Sequence, residues 1–160
     1  MAHYYCDTSA LVKYYILEKG TRWMREAIED RCGDGWANVV STSALTWVET
    51  ISALTRRRRS GDIPARLCAA LMARFLRDGA HRYVRLPIDD VTINLAVGLI
   101  QRHSLRAYDA VQLATALRLD GVMEEHRLPS LIFVSADGVL CQAAEAEGLV
   151  AVDPNEVADD

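Results

Sequence analysis

The sequence predicts an α/β/α sandwich built around a central, mostly parallel β-sheet. Short apolar segments that suit buried strands alternate along the chain with segments that carry apolar residues at helical spacing. This alternation is typical of parallel sheets that are covered by helices on both faces. The clearest strand is LIFVS at residues 131–135, and the most apolar helix is predicted to begin near Arg106.

The composition indicates one globular domain over residues 1–154, followed by an acidic tail at residues 155–160 that we expect to be frayed. Of the 160 residues, 51% are hydrophobic and 25% are charged, and the formal net charge is −4. Such a chain is not a polycation, so a nucleic-acid partner would need a local basic patch or bound metal ions. No signal peptide or membrane-spanning segment is predicted, and we expect a cytoplasmic protein.

Cysteine and histidine spacing argues against a zinc site. No CxxC pair is present, so we expect the four cysteines to be buried free thiols. The four histidines follow no metal-ligand spacing and are interpreted as structural. The three tryptophans are expected in the core or at an interface. These residues are Cys6, Cys32, Cys68, Cys141, His3, His81, His103, His126, Trp23, Trp36 and Trp47.

The first strand is predicted at residues 4–6. Asp7, Thr8 and Ser9 then interrupt it, and either hydroxyl is a candidate N-cap for a helix over residues 10–18. The next predicted elements are a helix, a glycine-containing loop and a weak strand, at residues 22–31, 33–35 and 38–42.

Two long helices fill the middle of the chain. Ser43 is a plausible N-cap for a helix over residues 44–59, which we expect to turn Leu45, Val48, Ile51, Ser52 and Leu54 towards the core. A helix over residues 64–77 opens with proline and carries an apolar stripe made of Leu67, Leu71, Met72, Phe75 and Leu76.

The second half continues the alternation with a strand at residues 82–86 and a helix over residues 91–103, which Asp89 or Asp90 can cap. A polar loop is expected between the most apolar helix and the LIFVS strand. The predicted ranges are 106–119 for that helix, 120–130 for the loop, 139–147 for a helix after Asp137 and 149–152 for a last strand.

Four acidic residues occupy comparable positions in these elements. Asp7 and Asp137 each follow a strand, Glu49 lies on the helix face of Leu45 and Ser52, and Asp109 is in the first turn of the most apolar helix. Each alone could be a helix-capping or solvated residue. Together they indicate a site, because ligands bind beyond the carboxyl ends of parallel strands and a buried carboxylate needs a partner.

Four segments resemble the acidic motifs of the PIN domain family: CDTSALVK, STSALTWVETISAL, LRAYDAVQLATAL and FVSADGVLCQAAEAEGLV. They come in that family's order, and almost the whole chain is similar to the VapC-type toxins of bacterial toxin–antitoxin pairs. The resemblance implies a PIN-like fold, an RNA substrate, a cognate antitoxin and a homodimer. The apolar stripe at residues 67–76 has two possible roles: it could belong to the core, or, as the resemblance implies, it could form a groove that binds a second copy of the chain or the antitoxin. The MEEHRLPS loop and the RRRR run depart from the family pattern, which leaves substrate and partner open.

The chemistry of the four acids can be argued from the residue types. Oxygen ligands without His or Cys suit Mg²⁺ or Mn²⁺ and argue against zinc. We assign Asp7 and Asp109 as the direct ligands, with Glu49 and Asp137 completing the site directly or through water. Such an ion activates a water and neutralises charge on a phosphate. Thr8 or Ser9 is an auxiliary candidate that would orient a ligand or the phosphate.

Five arginines are candidates for substrate contact. Arg56, Arg57, Arg58 and Arg59 are interpreted as a solvated helix end that complements the helix dipole, or alternatively as a phosphate-contacting patch on an RNA path. Arg106 lies one turn before Asp109 and would either contact substrate or pair with an acid.

Three functions are consistent with these features. The first is a divalent-metal-dependent endoribonuclease that acts as a toxin. The second is an RNA-processing PIN nuclease without a toxin role. The third is a non-catalytic PIN-like module that uses its acidic pocket to bind a partner.

Overall fold

The computed structural model describes residues 1–157 and contains the predicted central sheet. Five strands pair in parallel, and an antiparallel hairpin of two short strands lies apart from them. The sheet strands are β1 (His3–Cys6), β4 (Val39–Ser43), β5 (Tyr83–Leu86), β6 (Ile132–Val134) and β7 (Val150–Val152); the hairpin strands are β2 (Arg31–Cys32) and β3 (Gly35–Trp36).

The order across the sheet is β5-β4-β1-β6-β7, which places β1 at the centre. Helices alternate with the strands along the chain and cover both faces. They are α1 (Thr8–Tyr15), α2 (Thr21–Glu29), α3 (Ala44–Arg59), α4 (Ala65–His81), α5 (Asp90–Arg102), α6 (Ala107–Glu125) and α7 (Gly138–Ala146). The predicted α/β/α sandwich is therefore confirmed, with a sheet that is parallel throughout.

Alternation along β1 divides the core between the two faces of the sheet, since neighbouring strand residues point in opposite directions. Tyr5 stacks on Phe133 and packs among apolar residues of α5, α6 and α7. Cys6 belongs instead to a cluster with Met24 of α2 and Phe75 of α4. Both faces are filled, so β1 is held rigidly and ends at a well-defined point beside Asp7.

Helix capping differs from the prediction at α1. Asp7 is itself the N-cap, and its Oδ1 accepts a 2.9 Å hydrogen bond from the Ala10 amide. Thr8 and Ser9, the predicted caps, direct their hydroxyls to carboxylates instead. The caps at Ser43 for α3 and at Asp89 for α5 are confirmed.

The predicted buried faces of α3 and α4 are partly wrong. Leu54 is fully buried, but Val48 is 69% exposed and Ser52 is also exposed, because α3 turns Thr46 and Thr50 inward instead. On α4, Phe75 is buried, whereas Leu67 and Leu76 at the edges of the apolar stripe remain exposed. The sequence pattern identified both helices but misjudged how each rotates against the sheet.

Three further predictions are corrected. Of the expected loop at residues 33–35, residues 33 and 34 form the turn of the β2–β3 hairpin and Gly35 begins β3; these short strands give almost no sequence pattern. Cys32 in that hairpin is exposed, unlike the other three cysteines. The expected loop at residues 120–130 begins only after Glu125, because α6 continues and buries Met123 on its last turns.

The last residues are described only in part. Pro154 is buried, and the amides of Asn155 and Glu156 donate to Asp153 in a turn. Residues 158–160 lie outside the described residues, so the single domain with a frayed tail stays a prediction. Within residues 1–157, no helix has the length and apolar character required to span a membrane.

Candidate active site

A cavity of about 630 Å³ opens at the carboxyl ends of the central strands. It is bounded by the start of α1, the part of α3 from Glu49 to Arg57 and the starts of α6 and α7. Side chains of both charges line it, and they include all four of the acids singled out in the sequence, namely Asp7, Glu49, Asp109 and Asp137. Residues more than 100 positions apart are thus brought to one surface by the parallel topology.

Asp7 is the most buried of these acids, with 4% of its surface exposed. Ser9 donates to both of its carboxylate oxygens, at 2.8 and 2.9 Å, and Ser135 donates to Oδ2 at 2.9 Å. Burial raises the pKa of Asp7 to about 7, although these hydrogen bonds and the Ala10 amide pull the pKa down. The fold therefore holds a carboxyl group in a place where its charge is poorly compensated.

Glu49 reaches the cavity from the middle of α3. Its Oε2 accepts hydrogen bonds from the Thr8 hydroxyl at 2.7 Å and from the Gln112 amide at 2.8 Å. No described residue donates a hydrogen bond to its Oε1. Glu49 is therefore oriented by two neutral donors that come from α1 and α6.

Asp109 lies in the first turn of α6, and Asp137 is the N-cap of α7. Burial, followed by the negative charges of Asp137 and Glu49, raises the pKa of the half-buried Asp109, and Arg106 opposes this shift. Asp137 is exposed and caps α7 by accepting from the Val139 and Leu140 amides. Because the charges of Asp137 and Glu49 both raise the pKa of Asp109, these three acids lie within electrostatic reach of one another.

Two important residues were missed by sequence reasoning. Ser135, at the end of β6, donates to Asp7 and accepts a 3.1 Å hydrogen bond from the Asp137 amide, so it links two of the acids. Gln112 is 2% exposed and contacts Glu49. A polar residue within the apolar LRAYDAVQLATAL segment is a usable sequence signal for Gln112, since a buried amide needs partners.

The predicted basic residues divide into two groups. Arg56, Arg57 and Arg106 line the cavity, whereas Arg58 and Arg59 are exposed and do not. Arg57 pairs with Glu18 at 2.6 Å, and Lys13 donates to the other oxygen of Glu18 at 3.2 Å. The guanidinium of Arg56 has no hydrogen bond or ion pair within the described residues. These further residues were absent from the predicted site: Lys13, Glu18, Ser60, Asp62 and Asn155.

The donor set fits a hard divalent cation, because the acids offer oxygen ligands and burial leaves Asp7 in need of positive charge. Among residues 1–157, no three His, Cys, Asp or Glu side chains are grouped closely enough to hold a metal ion together. Mg²⁺ in proteins is commonly bound by one or two carboxylates while waters and substrate phosphates complete its coordination. An arrangement of separate acids around an open cavity is compatible with that mode.

The family model for the PIN domain matches residues 4–146, which include all four acids. The chain belongs to the PIN domain family. No curated protein sequence matches the chain at a significant level. The family membership therefore rests on the family model, and the agreement of the fold with solved structures is an independent finding.

Solved structures of similar fold include several toxins. VapC20 of Mycobacterium tuberculosis, a toxin that cleaves the sarcin–ricin loop, has a TM-score of 0.60 at 20% identity over 93% of this PIN domain chain and 98% of its own. VapBC2 of Rickettsia felis, bound to a DNA fragment from its promoter, has a TM-score of 0.60 at 10% identity over 94% and 98%. A toxin–antitoxin complex from Klebsiella pneumoniae has a TM-score of 0.57 at 18% identity over 98% and 100%. At these identities the similarity shows the fold alone.

Proposed function

We propose that this protein is a divalent-metal-dependent endoribonuclease, and that it acts as the toxin of a VapBC-like pair. The observation that carries the nuclease proposal is the convergence of Asp7, Glu49, Asp109 and Asp137 on one open cavity at the carboxyl edge of the sheet. Among residues 1–157, those that line the cavity include the four acids and no histidine, so the acids themselves are the candidates for its chemistry.

Asp7 and Asp109 are the proposed direct ligands of Mg²⁺ or Mn²⁺, and Glu49 and Asp137 complete the site directly or through water. The bound ion supplies a water of lowered pKa and neutralises charge on the phosphate. Ser9 and Ser135 orient the Asp7 carboxylate, and Thr8 orients Glu49. Thr8 and Ser9 thus support the acids rather than contact the substrate.

Arg56 and Arg106 are the proposed phosphate contacts on the RNA. Both guanidiniums line the cavity, one on the α3 side of the acids and one beside the start of α6. Arg57 contributes less in this proposal because Glu18 already holds it. Arg58 and Arg59 act as a solvated helix end.

The toxin role rests on the toxin structures among the solved neighbours. It includes a cognate antitoxin, a homodimer and a cytoplasmic location. An RNA-processing PIN nuclease would use the same site without an antitoxin. The non-catalytic module is less favoured, because a binding surface does not require an acid as deeply buried as Asp7.

The nuclease proposal is tested with purified protein and total cellular RNA, with Mg²⁺, Mn²⁺ or EDTA, and with cleavage ends mapped by sequencing. We expect metal-dependent cleavage that Asp7→Asn and Asp109→Asn abolish and that Asp34→Asn, in the exposed hairpin, preserves. Undiminished cleavage in EDTA would refute the metal mechanism.

The toxin role is tested by expression in bacteria. We expect growth arrest that Asp109→Asn relieves. A wild-type protein that cleaves RNA in vitro but leaves growth unchanged in several hosts would favour the RNA-processing nuclease.

A further inference from the structure

A buried amide network lies directly behind the acidic cavity. Gln112, in the second turn of α6, is 2% exposed and faces residues from β1, the end of β4 and α3. Its Oε1 accepts from the Tyr5 hydroxyl at 2.7 Å, from Ser43 at 3.1 Å and from Thr46 at 3.3 Å. Its Nε2 donates to Glu49 Oε2 at 2.8 Å and to Thr46 at 3.0 Å.

Hydrogen bonds on both sides of the Gln112 amide determine which way it points. The Tyr5 hydroxyl donates to the amide oxygen at 2.7 Å, and Ser43 also donates to this oxygen. A carboxylate oxygen accepts hydrogen bonds, so the NH₂ group is the side of the amide that faces Glu49 Oε2. The opposite orientation would place the amide oxygen against the carboxylate oxygen of Glu49.

These contacts fix the orientation of the Glu49 carboxylate by hydrogen bonds to only one of its oxygens, Oε2. Oε2 receives donors from Gln112 and Thr8, and Oε1 receives none within the described residues. Both donors are neutral, so they orient the carboxylate without cancelling its negative charge. A lysine or arginine here would neutralise Glu49 and remove its attraction for a cation.

We infer that Gln112 is a positioning residue that holds Glu49 with Oε1 available to a divalent cation in the cavity. This inference rests on the proposed metal-dependent function and adds to it a buried element, running from Tyr5 through Gln112 to Glu49. Such outer partners of metal ligands affect metal affinity or activity by about 10- to 100-fold.

The test compares Gln112→Met, which keeps the volume but removes both hydrogen-bonding groups, with Tyr5→Phe, which keeps the Phe133 stacking but frees the amide to turn. Thr50→Val is the matched control, since Thr50 is buried next to Glu49 and its hydroxyl has no hydrogen-bond partner. The midpoint of Mn²⁺-dependent thermal stabilisation and the kcat and KM for RNA are measured for each protein.

We expect Gln112→Met to raise the Mn²⁺ midpoint by about 10- to 100-fold and to lower kcat while KM for RNA stays nearly constant. Tyr5→Phe should shift the midpoint in the same direction by less, and it keeps the test available if Gln112→Met does not fold. Thr50→Val should match the wild type. A purely structural role for Gln112 would change the melting temperature in the absence of metal and leave the Mn²⁺ midpoint in place.

Unchanged Mn²⁺ midpoints in Gln112→Met and Tyr5→Phe would overturn the inference while leaving the nuclease proposal intact, provided that the wild type cleaves RNA. A wild-type protein without a Mn²⁺ response would overturn the inference as well. Conversely, a midpoint that shifts as expected in a protein without RNA cleavage would support the positioning role and refute the nuclease proposal.

Discussion

The four acids of the cavity form two pairs that are held in different ways. The inner acids, Asp7 and Glu49, receive hydrogen bonds from side chains far away in sequence: Ser135 for Asp7, which also accepts from Ser9 and the Ala10 amide, and Thr8 and Gln112 for Glu49. The outer acids are Asp109, in the first turn of α6, and Asp137, the N-cap of α7. Within the described residues, no distant side chain donates to either of them, and the Val139 and Leu140 amides donate to Asp137. The fold thus fixes the orientation of the inner acids before any ligand binds, and it leaves Asp137 exposed to solvent.

This difference separates two roles that the sequence alone did not distinguish. A carboxylate fixed before the ion arrives needs little reorganisation on binding, which favours an inner acid as a constant ligand. An outer acid can adjust to the ion, its waters or the phosphate.

The largest effect is expected when an inner and an outer acid are compared by the same substitution. Asp7→Asn removes a proposed ligand and should lower single-turnover RNA cleavage by more than about 100-fold, beyond the range for outer partners of a ligand. Asp137→Asn keeps an oxygen that can cap α7 and should cost clearly less. Equal losses in the two variants would remove the distinction between the pairs.

A smaller effect is expected at Ser135, which supports an inner acid without itself being a ligand. Ser135→Ala removes a 2.9 Å hydrogen bond to Asp7 and the acceptor for the Asp137 amide. Cleavage should fall by about 10-fold, at the low end for such outer partners. Cleavage rates at saturating metal measure this loss, and Ser130→Ala is the control because Ser130 is exposed and lies outside the cavity lining. Full activity in Ser135→Ala would mean that Ser9 alone is sufficient to orient Asp7.

The free energy of unfolding without metal should show how far repulsion among the four carboxylates destabilises the folded protein. The pKa of Asp109 is raised in the folded protein, so the folded state binds more protons than the unfolded state. Stability should therefore fall as pH rises from the unfolded carboxyl pKa through the raised folded one. Asp7 adds to this between about pH 4, its unfolded pKa, and its folded pKa of about 7.

Asp109→Asn removes one of these charges at nearly constant shape. Near neutral pH and in EDTA, it should raise the melting temperature by about 2–4 °C for each kcal/mol of relieved repulsion. The same variant should show a smaller stabilisation by Mn²⁺ than the wild type. A variant that melts earlier in EDTA yet keeps the full Mn²⁺ shift would assign Asp109 a capping role only.

The smallest effect is expected at the arginines of α3, which also differ in whether another side chain already binds them. Arg56 has no partner within the described residues, whereas Arg57 is paired with Glu18. Arg56→Gln should lower the log–log salt slope of single-stranded RNA binding by about 0.7, the value for one phosphate contact. Arg57→Gln should lower it by less, and Arg58→Gln should leave it unchanged. Identical slopes for the wild type and the three variants would mean that the arginine run is only a solvated helix end and does not contact RNA.

The positions of the acids could be predicted because they depend on topology. Asp7 and Asp137 follow strands, and parallel strands that neighbour each other end at one edge of the sheet. The start of α3 was predictable from Ser43, since a capping hydroxyl before an apolar helix is a local signal. The family resemblance added the RNA substrate and the antitoxin partner, which the residue types alone left open.

The hydrogen bonds that orient the acids could not be predicted, because they depend on how the helices rotate against the sheet. Tyr5, Glu49 and Gln112 lie far apart in the sequence and meet only after α3 and α6 have packed. The same uncertainty explains Val48, which the periodicity placed inward and which is exposed. The continuation of α6 to Glu125 was missed for another reason: a polar segment suggests a loop unless a buried anchor such as Met123 is known.

The most direct test of the central claim is anomalous diffraction from crystals soaked in Mn²⁺. We expect a peak in the cavity at about 2.0–2.2 Å from oxygens of Asp7 and Asp109, near the ligand distances of small hard cations. Glu49 Oε1 should face that peak directly or through a water, and the peak should be lost in Asp109→Asn. A well-ordered cavity without a peak, or a peak that Asp7 and Asp109 do not contact, would contradict the account.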